Sequence, residues 1–186
     1  MAQPEREMRV PLVLHLLHGE RAAPFDLLLV YAVGAVFGVL ALVFAWSRVE
    51  GLAGWKALLL FLVAADVSGG AVACFAPGTD RFYASRPGLR WLFIFGHVVE
   101  PLLLFLLFGG RPGYWGFIYV YTVAAASLVN VIPDRGRQQM TAVALLVVGT
   151  VIALPIGLAI PFLAWFGPVY MLKLILAFAV RRTAGP

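Results

Sequence analysis

A chain of 186 residues that is 62% hydrophobic and only 12% charged is not a water-soluble domain, because a folded globule of that size has too little polar surface to cover so much apolar material. Lipid as solvent removes the difficulty, so the bilayer is the first partner expected. The net charge of +5 would suit nucleic acid if the bases were gathered; they are scattered over short loops between apolar runs, which is membrane topology, and no nucleic-acid partner is expected.

The single cysteine, Cys74, excludes an intrachain disulfide and any CxxC metal or redox pair. Residues 1–26 form an N-terminal segment, expected to be cytoplasmic. It begins with charges that include Glu7 and Arg9 and continues with Leu12, Leu14, Leu16 and Leu17 beside His15 and His18. The apolar stretch is too short to span and predicts an interfacial helix on the membrane surface. His15 and His18 stand at i,i+3, a metal-binding spacing; with no further ligand nearby they read as solvated surface histidines.

The first spanning helix is predicted over 27–46. It exceeds the roughly 7–15 residues of a signal-peptide core and no small-x-small site follows it, so it reads as retained. Its Gly34-x-x-x-Gly38 makes a small-residue face for close helix packing, and a homodimer joined there is one expected assembly. The second helix, over 57–76, carries Asp66 near its middle. About 20 residues at 1.5 Å each cross the hydrocarbon, so Asp66 falls near the bilayer centre, where an acid is costly and points to function. Gly69 and Gly70 follow on the same side of the helix, leaving room for another helix or a solute to approach the carboxyl. Pro77-Gly78-Thr79-Asp80 reads as the turn that ends this helix, followed by a loop with Arg81, Arg86 and Arg90.

The third helix, over 91–108, holds His97, Glu100 and Pro101. The fourth, over 114–132, has Ser127 and Asn130 near its end. The stretch 141–180 is too long for one helix and barely enough for two, and Pro155, Gly157, Pro161, Gly167 and Pro168 offer breaks. Charge asymmetry decides the division into 141–159 and 165–180. With six helices and both ends cytoplasmic, most Lys and Arg fall inside, leaving Arg48, Lys56 and Arg111 outside and Lys173 within the membrane. The fold class expected is an all-α polytopic bundle of six transmembrane helices. Residues 27–180 form the membrane domain and 181–186 a cytoplasmic tail, in a cell membrane of the bacterial cytoplasmic type.

The six also read as a three-plus-three inverted repeat. The middle helix of each half is interrupted, by Gly69-Gly70 and by Pro155 with Gly157, and the third helix of each starts on a tryptophan (Trp91, Trp165) before one mid-helix charge (Glu100, Lys173). Matched interruptions are a pointer to a transporter's central site. Asp66, Glu100 and Lys173 lie at similar depth, with His97 one turn from Glu100 and Asn130 nearer the cytoplasmic end. The leading function is therefore a small-solute or proton-coupled transporter with Asp66, His97, Glu100, Lys173 and Asn130 along the solute or proton pathway.

Two other readings stand beside it. One is a membrane-embedded enzyme acting on a lipid or isoprenoid, with Glu100 as base or with a metal on His97, Glu100 and Asp66. The other is an accessory subunit in which Lys173 merely neutralises an acid. No cofactor is expected: a retinal Schiff base on Lys173 would call for seven helices, and the sequence has no GxSxG, HExxH or P-loop motif.

Overall fold

The computed structural model describes residues 7–157 and 159–182. The start of the N-terminal segment (1–6) and the tail beyond 182 lie outside the described residues. The described chain is almost entirely helical, and six of its helical stretches are long and apolar enough to cross a membrane.

The N-terminal segment is a small hairpin, where an interfacial helix was expected. Strands β1 (Met8–Arg9) and β2 (Arg21–Ala22) pair antiparallel, with Met8 opposite Ala22. Between them lies a single helical turn, α1 (His15–His18). Gly19 ends α1 at φ +74 and packs its backbone on Gly78, where a Cβ would come within 2.2 Å of the Gly78 carbonyl oxygen. His18 is buried against Tyr31, its Nε2 3.0 Å from the phenol oxygen, and burial lowers its pKa; it is not a solvated histidine.

Six spans follow: α2 (Pro24–Trp46), α3 (Gly54–Ala73), the pair α5 (Pro87–Gly96) and α6 (Val99–Phe108), α7 (Pro112–Val131), α8 (Arg135–Gly157), and a last span of 18 residues, 161–178. That last span contains α9 (Phe166–Met171), which runs on into a π-helical stretch, Leu172–Phe178. The residues expected to form a turn after the second span instead start a short helix, α4 (Pro77–Ala84). Pro77 is at home in a first helical turn, which needs no N–H from it. Prolines open α2, α5 and α7 in the same way.

Helices α2 and α3 pack backbone to backbone. A Cβ on Gly34 would lie 3.0 Å from the Ala65 carbonyl oxygen, and one on Gly69 would lie 2.9 Å from that of Val30. The Gly34/Gly38 face is thus filled by α3 of the same chain and does not present itself to a second copy. Among the described residues Gly69 and Gly70, expected as a break, do not interrupt α3, and Pro155 and Gly157, in the last turn of α8, mark its end and not a break within it. Glycine costs a helix only about 1 kcal/mol per residue, and in lipid the helix is the conformation that satisfies the backbone from within.

The actual irregularities fall elsewhere. One is at His97–Val98, between α5 and α6, and the other is the π-helical stretch around Lys173. Pro101 has no N–H to offer the carbonyl of His97 four residues earlier; the hydroxyl of Tyr170 donates to that carbonyl instead. Core side chains such as Leu60, Ile118, Phe166, Tyr170, Leu174 and Ile175 centre on the last span, while Val36, Val43, Leu102, Leu106, Val147 and Val151 point outward as a lipid-facing surface does.

Candidate functional site

Lys173 sits on the π-helical stretch with its side chain only 3% exposed, and its Nζ donates to Asp66 Oδ2 at 2.8 Å. Gly70 makes this reach possible. A Cβ there would stand 2.7 Å from Lys173 Cε and 3.0 Å from Nζ. The same ammonium lies 3.7 Å from Glu100 Oε1. Glu100 is 13% exposed, and its Oε2 is buried with no hydrogen-bond partner among the described residues.

His97 completes the group. Its Nδ1 is 2.5 Å from the Phe93 carbonyl oxygen, which can only accept, so Nδ1 carries the hydrogen. In the neutral ring Nε2 then presents a lone pair toward Glu100 Oε1, 3.6 Å away. That separation is longer than a hydrogen bond, and the same Oε1 also faces the Lys173 ammonium at 3.7 Å. The layer therefore holds two carboxylates, one ammonium and one imidazole, and a single added proton balances its charge.

Asp66 is the open member, with its side chain 49% exposed. It faces a cavity of about 530 Å³ whose walls include Leu62, Val63, Tyr83, Leu92, Phe93 and Val99, with Leu16 and Leu17 of the N-terminal hairpin also lining it. A second cavity of about 390 Å³, between α2 and α3, also reaches Asp66. Leu62, Leu92 and Val99 are well exposed, so the larger cavity opens sideways between α3 and α5–α6.

Asp66, His97, Glu100 and Lys173 are thus brought together as one group. Asn130 is not among them. Its Oδ1 accepts from Arg90 Nε at 2.6 Å, in a separate cluster at the end of the bundle. The candidate metal set does not assemble either: among the described residues no group of three or more His, Cys, Asp or Glu could hold an ion. The Lys173 ammonium hydrogen-bonds to Asp66 and stands 3.7 Å from Glu100, and its charge opposes a cation there. His15 Nε2 lies 2.9 Å from the Val10 carbonyl oxygen, so neither N-terminal histidine offers a ligand set.

Sequence reasoning missed Tyr170 and Arg90. Pro101 standing four residues after His97 was the signal for the first, since it leaves a carbonyl needing a donor. Pro87 at the first position of α5 was the signal for the second, since it moves Arg90 from a loop into a helix.

No family model, curated protein or solved structure matches this chain. Its class rests on its own architecture: six helices long and apolar enough to cross a membrane, consistent with a multi-pass membrane protein.

Proposed function

We propose that the protein is a proton-coupled carrier of a small amphipathic solute with a cationic head. In this reading Asp66 binds the solute, and Lys173, Glu100 and His97 handle the proton. One observation carries it. The Asp66 carboxylate is held by Lys173 on one side, yet it remains half open to an apolar-walled cavity at mid-span. Ionisable groups at that depth are costly to keep, which favours a working role.

The distances suggest how coupling would run. A cationic head arriving at Asp66 competes with Lys173, which has Glu100 as its second partner at 3.7 Å. A proton carried by Glu100 is then displaced by the ammonium and leaves past His97, so solute entry is matched by proton release. In proteoliposomes with an acidic interior and the membrane potential clamped at zero, tetraphenylphosphonium should accumulate, and alkalinisation of the interior should accompany it. Asp66→Asn should abolish both while the protein still folds, its melting temperature lowered by no more than a few degrees. Uptake that persists in this variant would remove Asp66 from the assigned role.

The sideways opening past Leu62, Leu92 and Val99 favours a second reading, an enzyme acting on a lipid or isoprenoid with Glu100 as base. Chromatography of vesicle lipids incubated with the protein separates the two: headgroup or chain turnover lost in Glu100→Gln supports the enzyme, and unchanged lipids support the carrier.

A further inference from the structure

A second polar feature lies apart from the charged cleft, at the end of the bundle where α5 and α8 begin and α7 and the last span finish. It is a cavity of about 530 Å³ lined by Arg90, Arg135, Arg181, Asn130, Tyr83 and Trp91 among others. Three guanidinium groups line it, and no carboxylate is among the described lining residues. The arginines are held by carbonyl and amide oxygens. Arg90 Nε donates to Asn130 Oδ1 at 2.6 Å, and its Nη2 donates to the carbonyls of Phe178 and Ala179 at 2.6 and 2.9 Å. Arg181 Nη2 donates to the Asn130 carbonyl at 2.6 Å, and Arg135 Nη1 to the Arg182 carbonyl at 3.1 Å.

Neutral acceptors fix these side chains without cancelling their charge, and each guanidinium carries five N–H donors, more than these bonds use. Asp134, beside Arg135 in sequence, is turned to cap α8, accepting from the Arg137 backbone N–H at 2.8 Å. Asp80 accepts from the Arg182 backbone N–H at 3.0 Å. Orientation in the membrane needs only exposed basic loops; it does not explain Arg90, which is buried inside the bundle. Asp80 acts electrostatically on Arg90 from outside the lining; three guanidiniums still face the cavity, a fixed, net-cationic set with donors to spare that matches the oxygens of a phosphate. Trp91 at the same site suits the headgroup level of a bilayer, and basic pockets between helix ends hold anionic headgroups in this way.

We propose that this arginine cavity binds a phosphate-ester anion, the surrounding phospholipid being its source. The site is independent of the carrier reading and uses none of Asp66, His97, Glu100 and Lys173; Tyr83 stands between the two cavities and lines both.

The test uses the full chain in detergent and native mass spectrometry. Dioleoylphosphatidylglycerol and dioleoylphosphatidylcholine serve as lipid probes, and glycerol 3-phosphate as the soluble one. One phosphatidylglycerol should be retained at least tenfold more than phosphatidylcholine, and its retention should raise the melting temperature. The Arg135→Gln/Arg181→Gln variant should lose that preference, while Arg48→Gln/Arg111→Gln, altered at the opposite end, should keep it. Equal retention of both lipids by the unaltered protein would overturn the proposal whether or not any variant folds, and so would equal loss in the two double variants. Glycerol 3-phosphate reproducing the stabilisation would support the phosphate site and overturn the lipid as its source.

Discussion

A buried ammonium needs a counter-charge, and Lys173 has two within reach, Asp66 at 2.8 Å and Glu100 at 3.7 Å. This redundancy makes a graded prediction. Asp66→Asn leaves Glu100 in place and removes only a half-open ion pair, so it should cost about 1 kcal/mol or less. Asp66→Asn with Glu100→Gln strands the ammonium in the interior and should cost about 3–5 kcal/mol. Adding Lys173→Met should recover most of that loss. Melting curves in detergent check all three. If the triple variant also retains function in cells, the cluster is a structural lock, as an accessory subunit would have. These residues could be found in the sequence because the 1.5 Å rise converts position within a span into depth, and charges at one depth in separate helices are drawn together. Asn130 shows where depth fails. Its helix is apolar nearly all round, so no amphipathic face told which way the amide points, and it serves Arg90 instead.

Helices set where the layer sits, and the break between α5 and α6 is the local feature that sets His97. Pro101 withholds a donor from the His97 carbonyl and Tyr170 supplies one, so the two residues should be energetically coupled. Tyr170→Phe orphans a carbonyl within the membrane and should cost about 1–3 kcal/mol. Pro101→Ala restores an N–H that can close the helix on that carbonyl. The double variant should then be more stable than Tyr170→Phe alone, and a double-mutant cycle of melting free energies should give a non-zero coupling. Additive effects would mean that the two residues do not share the carbonyl. The sequence showed this stretch as one helix over 91–108, and its glycines and prolines elsewhere as breaks. Proline and glycine types alone do not distinguish a broken helix from a continuous one. Gly69 and Gly70 are there for close approach, to α2 and to Lys173, while the partner of a proline-orphaned carbonyl lies on a distant span that local pattern cannot name.

At the scale of the whole molecule, α4 gathers both described ends of the chain. Thr79 Oγ1 donates to the Leu17 carbonyl at 2.9 Å and Tyr83 Oη to that of Leu16 at 2.8 Å. Just beyond α4, Arg86 pairs with Glu20 at 2.6 Å, and on α4 itself Asp80 accepts from the Arg182 backbone N–H. Six spans return the chain to the end of the bundle where it started, and these contacts meet that requirement. At the other end, the Lys56 ammonium donates to the Leu107 carbonyl at 3.2 Å, tying the start of α3 to the end of α6. The span count was legible because apolar length is a property of composition. The hairpin was not, because its strands are two residues each and carry no periodicity. Basic residues crowd the end that holds α4, whereas Arg48, Lys56 and Arg111 lie at the other, so the positive-inside rule predicts a cytoplasmic α4. Single cysteines test this in intact cells. Ser85→Cys follows α4 and should resist a membrane-impermeant maleimide until the cells are opened; Ser47→Cys follows α2 and should react at once. Cys74 is buried and should stay silent in both, so it need not be removed. Labelling of Ser85→Cys in intact cells would invert the orientation, and with it the side on which the arginine cavity meets its lipid.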